Sequence, residues 1–278
     1  MLWQDALRKA RMQLDAADVE DADREAVYLL QWATGRTFAD WVLGGGSLAE
    51  AERAQYDAAV TRRAAREPLA YITGFREFFG LNLHVTPAVL IPRPETELMV
   101  EAALNALPDG PLRVVDVGTG SGAIALALKA HRPQWQVCGV DISAAALEVA
   151  RGNGDRLGIP VEWRHSDLLR DVSEVFHAVI ANLPYIAPDD ASSLSPEVLQ
   201  EPHGALFAED RGLYLMERLV LEAPSRLVPG GCLVMECGAG QARALSQQVS
   251  ANGFEKIEVL PDYAGIDRVV TARLSGSR

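Results

Sequence analysis

The stretch Val114-Val-Asp-Val-Gly-Thr-Gly-Ser-Gly122, followed by Ala-Ile-Ala-Leu, decides the fold. A short apolar strand runs into a turn rich in glycine, and an apolar helical segment comes next. Glycine lets the backbone turn tightly and lets a ligand approach the main-chain amides at the start of a helix. A buried strand that passes through such a turn into a helix is the unit from which open, mostly parallel sheets are built.

Strands and helices alternate from this stretch to the end of the chain. Short apolar runs predict strands at Leu112–Val117, Gln136–Val140, Val161–His165, Ala178–Ala181 and Cys232–Glu236. Segments between them, among them Ala123–Ala130 and Ala144–Leu157, have helical spacing. Two last runs, Lys256–Val259 and Arg268–Thr271, are placed to pair through a turn. The pattern predicts an α/β fold with a Rossmann-like seven-stranded sheet, in which ligands bind at the carboxyl ends of the strands.

The N-terminal part of the chain is helical in pattern. Apolar residues recur at helical spacing over the first seventy or so residues, and Ser47 with Glu50 forms a capping-box pattern before a helix at Ala49–Arg66. Alternation around a glycine in Phe78–Val85 predicts a β-hairpin. These segments predict a helical-bundle domain, a linking hairpin and an α/β domain at residues 1–75, 76–90 and 91–278.

Composition limits the classes of function. The 278 residues are 49% hydrophobic and 23% charged, as in a globular protein with a large core. The formal net charge of −12 opposes broad binding to a nucleic-acid backbone. No apolar run is long enough for a membrane span and no signal peptide is recognisable, so we expect a cytoplasmic protein without a membrane partner. The three cysteines have no histidine near them, and no metal site is predicted.

The glycine-rich turn by itself fits two kinds of cofactor. Gly118, Gly120 and Ala123 match the dinucleotide pattern with alanine in the third place. Asp116, inside the strand that precedes the turn, resembles instead the first motif of S-adenosylmethionine-dependent methyltransferases. Asp141 closes the second strand, where a carboxylate can accept both ribose hydroxyls of either cofactor or can cap the next helix.

The fourth strand ends in Asn182-Leu-Pro-Tyr185, which resembles the (Asp/Asn/Ser)-Pro-Pro-(Tyr/Phe) motif of amino methyltransferases. An amide or aryl amine is a poor nucleophile because its lone pair is delocalised. Asn182 Oδ1 and the main-chain carbonyl of residue 183 can accept its N–H groups and push charge onto the nitrogen. The Tyr185 ring can stack on the planar group. Leu183 stands where the motif usually has its first proline, but the acceptor at that place belongs to the main chain.

Three segments outside these motifs resemble the release factor glutamine methyltransferases of bacteria. They are Pro68–Gly74, Glu77–Gly80 and, most specifically, Val89-Leu-Ile-Pro-Arg-Pro-Glu-Thr-Glu97. The resemblance extends over nearly the whole chain. It implies transfer of a methyl group from S-adenosylmethionine to the side-chain amide nitrogen of the glutamine in the Gly-Gly-Gln motif of class I peptide chain release factors.

The resemblance also implies a role for each matching residue. Asn182 and Tyr185 would be catalytic. The cofactor would be held by Asp116, Gly118, Thr119, Gly120, Ser121, Gly122, Asp141, Asp167, Leu168 and Asn182. The substrate would be held by Asn182, Leu183, Pro184, Tyr185, Pro92, Arg93 and Glu95. The N-terminal helices and the hairpin would grip the release factor, and no direct nucleic-acid binding is expected.

Several alternatives remain open from the residues. Leu183 also fits an adenine methyltransferase acting on RNA or DNA, which the net charge and the absence of a tract rich in Lys and Arg oppose. A methyltransferase acting on a ribosomal-protein glutamine is a related possibility. Others are a nicotinamide dehydrogenase and a cofactor-binding module that has lost catalysis. Asp167 can be a solvated loop residue, and Pro92, Arg93 and Glu95 can simply cap and pack a helix.

Overall fold

The computed structural model describes residues 1–44 and 46–276. The chain divides by internal contacts into two units, Met1–Phe75 with Ser195–Gln200 and Arg76–Leu194 with Glu201–Arg278. Residues 45, 277 and 278 fall within these ranges but lie outside the described residues. The three-part division at 1–75, 76–90 and 91–278 stays a prediction.

Helices build the first unit. They are α1 (Trp3–Asp15), α2 (Ala22–Thr34), α3 (Phe38–Gly44), α4 (Glu50–Ala64) and α5 (Leu69–Thr73). Their apolar faces enclose a core in which Leu14, Leu29 and Tyr56 are fully buried. The Tyr56 hydroxyl donates to Ala26 O at 3.0 Å, so the polar end of this buried ring is also satisfied.

The capping box predicted before α4 was wrong in its residues. The helix begins at Glu50, and Ala49 rather than Ser47 precedes it. Glu52 Oε2 accepts from the Ala49 backbone N–H at 2.8 Å. Alanine has no side-chain acceptor, so only the glutamate half of the box is formed.

An ionic cluster holds the Ser195–Gln200 segment in the first unit. Arg63, which is 5% exposed, donates from Nη1 to Glu197 Oε1 at 2.7 Å and also pairs with Glu25. Arg66 Nη2 donates to Glu197 Oε2 at 2.9 Å. Burial alone would raise the pKa of Glu197, but the hydrogen bonds from Arg66 and Arg63 lower it to about 2.

A two-stranded hairpin follows α5 in the chain. Its strands are β1 (Phe75–Phe78) and β2 (Leu81–His84), so the first strand begins three residues before the stretch predicted from the sequence. A 3-10 turn at Pro94–Thr96 then leads into α6 (Glu97–Ala106).

One seven-stranded sheet organises the second unit. Its strands are β3 (Arg113–Val117), β4 (Gln136–Asp141), β5 (Glu162–His165), β6 (Phe176–Ala181), β7 (Leu227–Glu236), β8 (Phe254–Pro261) and β9 (Asp267–Leu274). The spatial order is β5-β4-β3-β6-β7-β9-β8. β9 runs antiparallel to both of its neighbours, and the other pairs are parallel. Strand order reverses beside β3, and ligands bind at such a reversal in open α/β sheets.

These strands confirm the predicted α/β fold and all seven predicted runs. β7 begins earlier than expected, at Leu227, because Leu227 pairs with Phe176; the register then shifts before the next pair, Ala178–Cys232. Five further helices complete the unit as described: α7 (Ala123–His131), α8 (Ala144–Leu157), α9 (His203–Leu206), α10 (Tyr214–Glu222) and α11 (Ala242–Ala251).

Two buried cores lie on the two faces of the sheet. Alternation along β3 sends Val114 into the core that contains residues of α6 and α7. Its neighbour Val115 enters the other core, with residues of α10 and α11. The sheet is therefore covered on both faces, and the ends of its parallel strands remain as the place for a site.

Some features are missing from the described part of the chain. None of its helices combines the length and apolar character that crossing a membrane requires. Its His, Cys, Asp and Glu side chains form no cluster of three or more that could hold a metal ion. The three cysteines, Cys138, Cys232 and Cys237, are free and buried, and burial raises the pKa of each thiol.

Candidate active site

The glycine-rich turn joins β3 to α7 and rests against the end of β4. Gly118 N and Thr119 N donate to Val140 O at 2.9 and 3.0 Å. Gly118 has a φ of +73°, and a Cβ there would lie 3.0 Å from Leu183 Cδ2. Glycine thus satisfies both the backbone conformation and the close approach of the turn to the end of β6.

The Asp116 side chain fixes the conformation of this turn through hydrogen bonds. Its side chain is buried, and Oδ2 accepts from the Thr119 hydroxyl at 2.6 Å and from Ala125 N–H at 3.2 Å. Burial raises the pKa of Asp116 to about 7, the charge of Asp141 adds to the rise, and the two hydrogen bonds oppose it. Asp116 therefore shapes the turn through Thr119 and the start of α7.

Asp141, at the end of β4, ties the turn to the next helix. Its Oδ2 accepts from Gly120 N at 2.9 Å, and its Oδ1 accepts from Ser143 N at 2.8 Å. Ser143, not Asp141, caps α8 by accepting from Ala146 N. Each carboxylate oxygen keeps a second lone pair, so Asp141 can still accept from a ligand. Burial raises the pKa of Asp141, and the backbone hydrogen bonds counteract the rise.

A cavity of ≈ 450 Å³ opens beside this turn at the carboxyl ends of the strands. It brings together eight of the predicted site residues: Gly118, Gly120, Asp141, Asp167, Leu168, Asn182, Leu183 and Pro184. The exposed side chain of Ile142 also lines it. Its volume is typical of small-molecule and cofactor sites.

Other predicted residues do not line this cavity: Asp116, Thr119, Ser121, Gly122, Tyr185, Pro92, Arg93 and Glu95. Gly122 packs instead closely against Trp163: a Cβ at this position would lie 2.8 Å from the indole. Ser121 is buried, and its carbonyl accepts from Asn153 Nδ2 at 3.0 Å. Gly122 and Ser121 therefore pack the glycine-rich turn against β5 and α8.

Asp167 faces the cavity with a cation beside it. Arg218 Nη2 donates to Asp167 Oδ2 at 2.9 Å, and Arg170 Nη1 lies 3.0 Å from the same oxygen. The hydrogen bond from Arg218 lowers the pKa of Asp167. The aspartate is therefore an ionised acceptor held in place by an ion pair, and it is not a freely solvated loop residue.

The Asn182-Leu-Pro-Tyr185 motif follows β6 directly. Asn182 Nδ2 donates to Thr96 Oγ1 at 3.1 Å, so the amide nitrogen already has a partner. Leu183 is 4% exposed and belongs to a hydrophobic core, with its side chain against Gly118. The leucine thus takes the place of the usual proline ring with an apolar anchor. Its carbonyl remains a main-chain acceptor.

Two residues from later in the chain fix the backbone of Tyr185. Gln241 Nε2 donates to Tyr185 O at 2.9 Å, and Gln241 Oε1 accepts from Gly238 N at 2.8 Å. Gly212 lies so close that a Cβ there would be 2.0 Å from Tyr185 O. Tyr185 is consequently held between the end of β7 and the chain before α10.

The Ile91–Glu95 strip is held by a buried carboxylate. Glu201, whose side chain is 1% exposed, accepts from Ile91 N at 2.9 Å through Oε2 and pairs with Arg93 through Oε1. Pro92 is buried and Glu95 is exposed. The guanidinium of Arg93 is therefore engaged within the chain, while Glu95 presents its carboxylate to solvent.

Sequence reasoning missed several polar residues that organise the site. They are Thr96, Asn153, Arg218, Glu236 and Gln241. Asn153 is fully buried on α8, and it binds both backbone groups of His84 as well as Ser121 O. The sequence did hold a signal for Glu236, which lies at the carboxyl end of a predicted strand, as Asp141 and Asn182 do.

Comparison with protein families assigns both parts of the chain. Residues 5–74 match the family described as the PrmC N-terminal domain, and residues 95–209 match the methyltransferase small domain. The methyltransferase of Pyrococcus furiosus has a similar fold, with a TM-score of 0.56 at 17% identity over 79% of this chain and 98% of that one.

Full-length relatives agree with this assignment. A release factor glutamine methyltransferase of Cereibacter sphaeroides is 43% identical over 97% of this chain and 98% of its own length. A release factor glutamine methyltransferase of Escherichia coli is 39% identical over 98% of this chain and 99% of its own length.

Proposed function

The chain belongs to the release factor glutamine methyltransferase family, and from this membership we propose that it methylates a glutamine of peptide chain release factors. The acceptor atom is the side-chain amide nitrogen of the glutamine in the Gly-Gly-Gln motif of class I factors. The observation that carries the proposal is the placement of Asn182-Leu-Pro-Tyr185 directly beside the cavity that the glycine-rich turn lines. The cytoplasmic location expected from the sequence stays a prediction.

The residues around the cavity fit S-adenosylmethionine. Asp141 offers carboxylate oxygens for ribose hydroxyls, and Asp167, kept ionised by Arg218, offers an acceptor for the exocyclic amine of adenine. Leu168 and Ile142 supply apolar surface for a flat base. When bound, the cofactor supplies an electrophilic methyl group, and the chain itself has to present the nucleophile.

Asn182 and the Leu183 carbonyl would present that nucleophile. Because Asn182 Nδ2 donates to Thr96, its Oδ1 is the atom left to accept an N–H of the substrate amide. With the carbonyl of residue 183 as the second acceptor, both N–H groups are bound and charge is pushed onto the nitrogen. Such acceptors act more strongly as the nitrogen becomes positive during methyl transfer.

Tyr185 would orient the amide by stacking on its planar face. The backbone of Tyr185 is fixed, because Gln241 donates to its carbonyl and Gly212 lies close to it, and this limits where the ring can lie. Orientation of this kind contributes to rate by limiting the substrate to reactive geometries. Pro92, Arg93 and Glu95 would line the approach of the tripeptide, and Glu201 holds that strip.

An acceptor-swap experiment tests the proposal. The enzyme is incubated with cofactor labelled in its methyl group and with either a purified class I release factor or RNA. We expect label in the release factor only. Label in RNA alone would replace the proposal with nucleic-acid methylation, the second reading of Leu183.

Replacement of Asn182 tests the assignment of the acceptor. Asn182→Ala should lower kcat by about 100-fold or more, because an interaction that strengthens in the transition state is lost. Tyr185→Phe should have a smaller effect, since the ring is retained. Near-native turnover of Asn182→Ala would remove Asn182 from the catalytic role.

A further inference from the structure

A buried network of polar side chains adjoins the Asn182-Leu-Pro-Tyr185 motif. Asn182 Nδ2 donates to Thr96 Oγ1 at 3.1 Å, and the Tyr185 hydroxyl donates to Glu236 Oε1 at 3.3 Å. Thr96 and Glu236 are 4% and 2% exposed. Thr96 also lowers the pKa of the Glu236 carboxyl, which indicates that these two buried groups are neighbours.

Burial of the Glu236 carboxyl is energetically unfavourable at this position. Burial raises its pKa, and hydrogen bonding from Thr96 and Tyr185 counteracts the rise. Its Oε2 atom is buried without a hydrogen-bond partner among the described residues. A buried carboxyl with one unsatisfied oxygen destabilises a fold, so its presence calls for a reason other than packing.

The direction of each hydrogen bond in this network sets the orientation of the Asn182 side chain. A side-chain amide has an acceptor on one side and donors on the other, and its orientation is fixed only when one side is bound. Thr96 Oγ1 accepts from Asn182, so its single proton is free for the carboxyl of Glu236. A hydroxyl whose proton points toward this carboxyl is left to accept from Asn182.

We propose that Thr96 and Glu236 are positioning residues for methyl transfer, which turn Asn182 Oδ1 toward the substrate amide and fix the ring of Tyr185. This inference rests on the proposed function for the identity of the substrate. Neither residue touches the reacting atoms. They act by keeping one amide orientation and one ring position ready before the substrate arrives.

A pair of threonine variants tests the orientation of Asn182. Thr96→Val keeps the shape and removes the hydroxyl, and Thr96→Ser keeps the hydroxyl. We expect kcat to fall about 10- to 100-fold in Thr96→Val with little change in cofactor affinity, and to recover in Thr96→Ser to within a few-fold. Thr271→Val is the matched control, because Thr271 is a comparably buried threonine at 8% exposure in β9.

A substrate-free measurement separates this inference from the proposed function. The side-chain amide of Asn182 is followed by 15N NMR and assigned by its absence in Asn182→Asp. One of its protons should exchange slowly in the native protein and in Thr96→Ser, and quickly in Thr96→Val. If the native enzyme fails to methylate release factors, the proposed function falls, and the NMR comparison still decides the orientation.

Glu236→Gln supplies a second, nearly isosteric variant. Its side chain has one acceptor oxygen where Glu236 has two, and its NH₂ group can only donate, so kcat should fall while the melting temperature stays close to that of the native protein. Native kcat in both Thr96→Val and Glu236→Gln, with an unchanged Asn182 signal, would overturn the inference. Equal losses in Thr96→Ser and Thr96→Val would overturn it as well, because they would indicate a packing role.

Discussion

Gly212 offers a direct way to displace Tyr185 without changing any proposed catalytic group. A Cβ at this position would lie 2.0 Å from Tyr185 O and 2.6 Å from Tyr185 C, whereas real Cβ contacts are essentially never shorter than 3.0 Å. Alanine must therefore push the two backbones apart by about 1 Å. Its φ of +80° adds strain of its own, worth on the order of 1 kcal/mol.

The expected result of Gly212→Ala is a loss of turnover at nearly constant cofactor affinity. A displacement of about 1 Å at a positioning group costs roughly 100-fold in rate, which corresponds to about 2.7 kcal/mol in activation free energy. Gly212 does not line the cavity beside the glycine-rich turn, so the affinity for S-adenosylhomocysteine, measured by calorimetry, should stay within about two-fold of the native value. Steady-state kinetics with a release factor give kcat and KM.

Gly230→Ala separates close approach from backbone strain. Gly230 has a comparable φ of +76°, and a Cβ there would meet nothing within 4 Å. We expect this control to lose stability by about 1 kcal/mol and to keep its kcat. Equal kcat values for Gly212→Ala and the native enzyme would refute the reasoning, because Tyr185 could then move by 1 Å without consequence.

Two other predictions concern the turn and the ionic cluster. Gly118→Ala has to adopt a φ of +73° with its Cβ 3.0 Å from Leu183, so cofactor affinity should fall at least about 10-fold by calorimetry, and unchanged affinity would contradict the role of the turn. Glu197 has its pKa lowered from 4.5 to about 2, so its ionised form stabilises the folded state above about pH 4.5, and that contribution disappears as the pH falls toward 2. Glu197→Gln should therefore melt below the native protein at pH 7, and the difference should vanish in acid; a pH-independent difference would contradict the ion-pair account.

Features that depend on local periodicity could be predicted from the sequence. The apolar runs that form β3, β4 and β6 are bounded by turn residues, and their alternation with helices leaves few topologies. This topology also predicts that Asp141 and Asn182 lie near each other, because the carboxyl ends of parallel strands lie together.

Contacts between residues far apart in the chain could not be predicted. Thr96 and Asn182 are 86 positions apart, and Gln241 reaches Tyr185 over 56 positions. Arg63 binds Glu197 across 134 positions, which brings a segment following the motif into the helical unit. Hydrophobic periodicity carries no information about such pairs, since each polar residue is equally compatible with a solvated surface.

The capping residues of α4 were predicted wrongly, for a physical reason. Ser47 and Glu50 have the spacing of a capping box, but the chain enters α4 at Glu50 and uses Glu52 for the cap. Capping interactions contribute about 1 kcal/mol, so packing of the helix against its neighbours decides where it begins.

The central claim is that this chain methylates the amide nitrogen of one glutamine. The most direct test is tandem mass spectrometry of the Gly-Gly-Gln peptide from a class I release factor, after treatment with the enzyme and S-adenosylmethionine. We predict that the peptide gains the mass of one CH₂ group, located on the glutamine side chain, and that Asn182→Ala produces almost none. An unmodified glutamine after treatment with the native enzyme, or a methyl group on another residue, would contradict the claim.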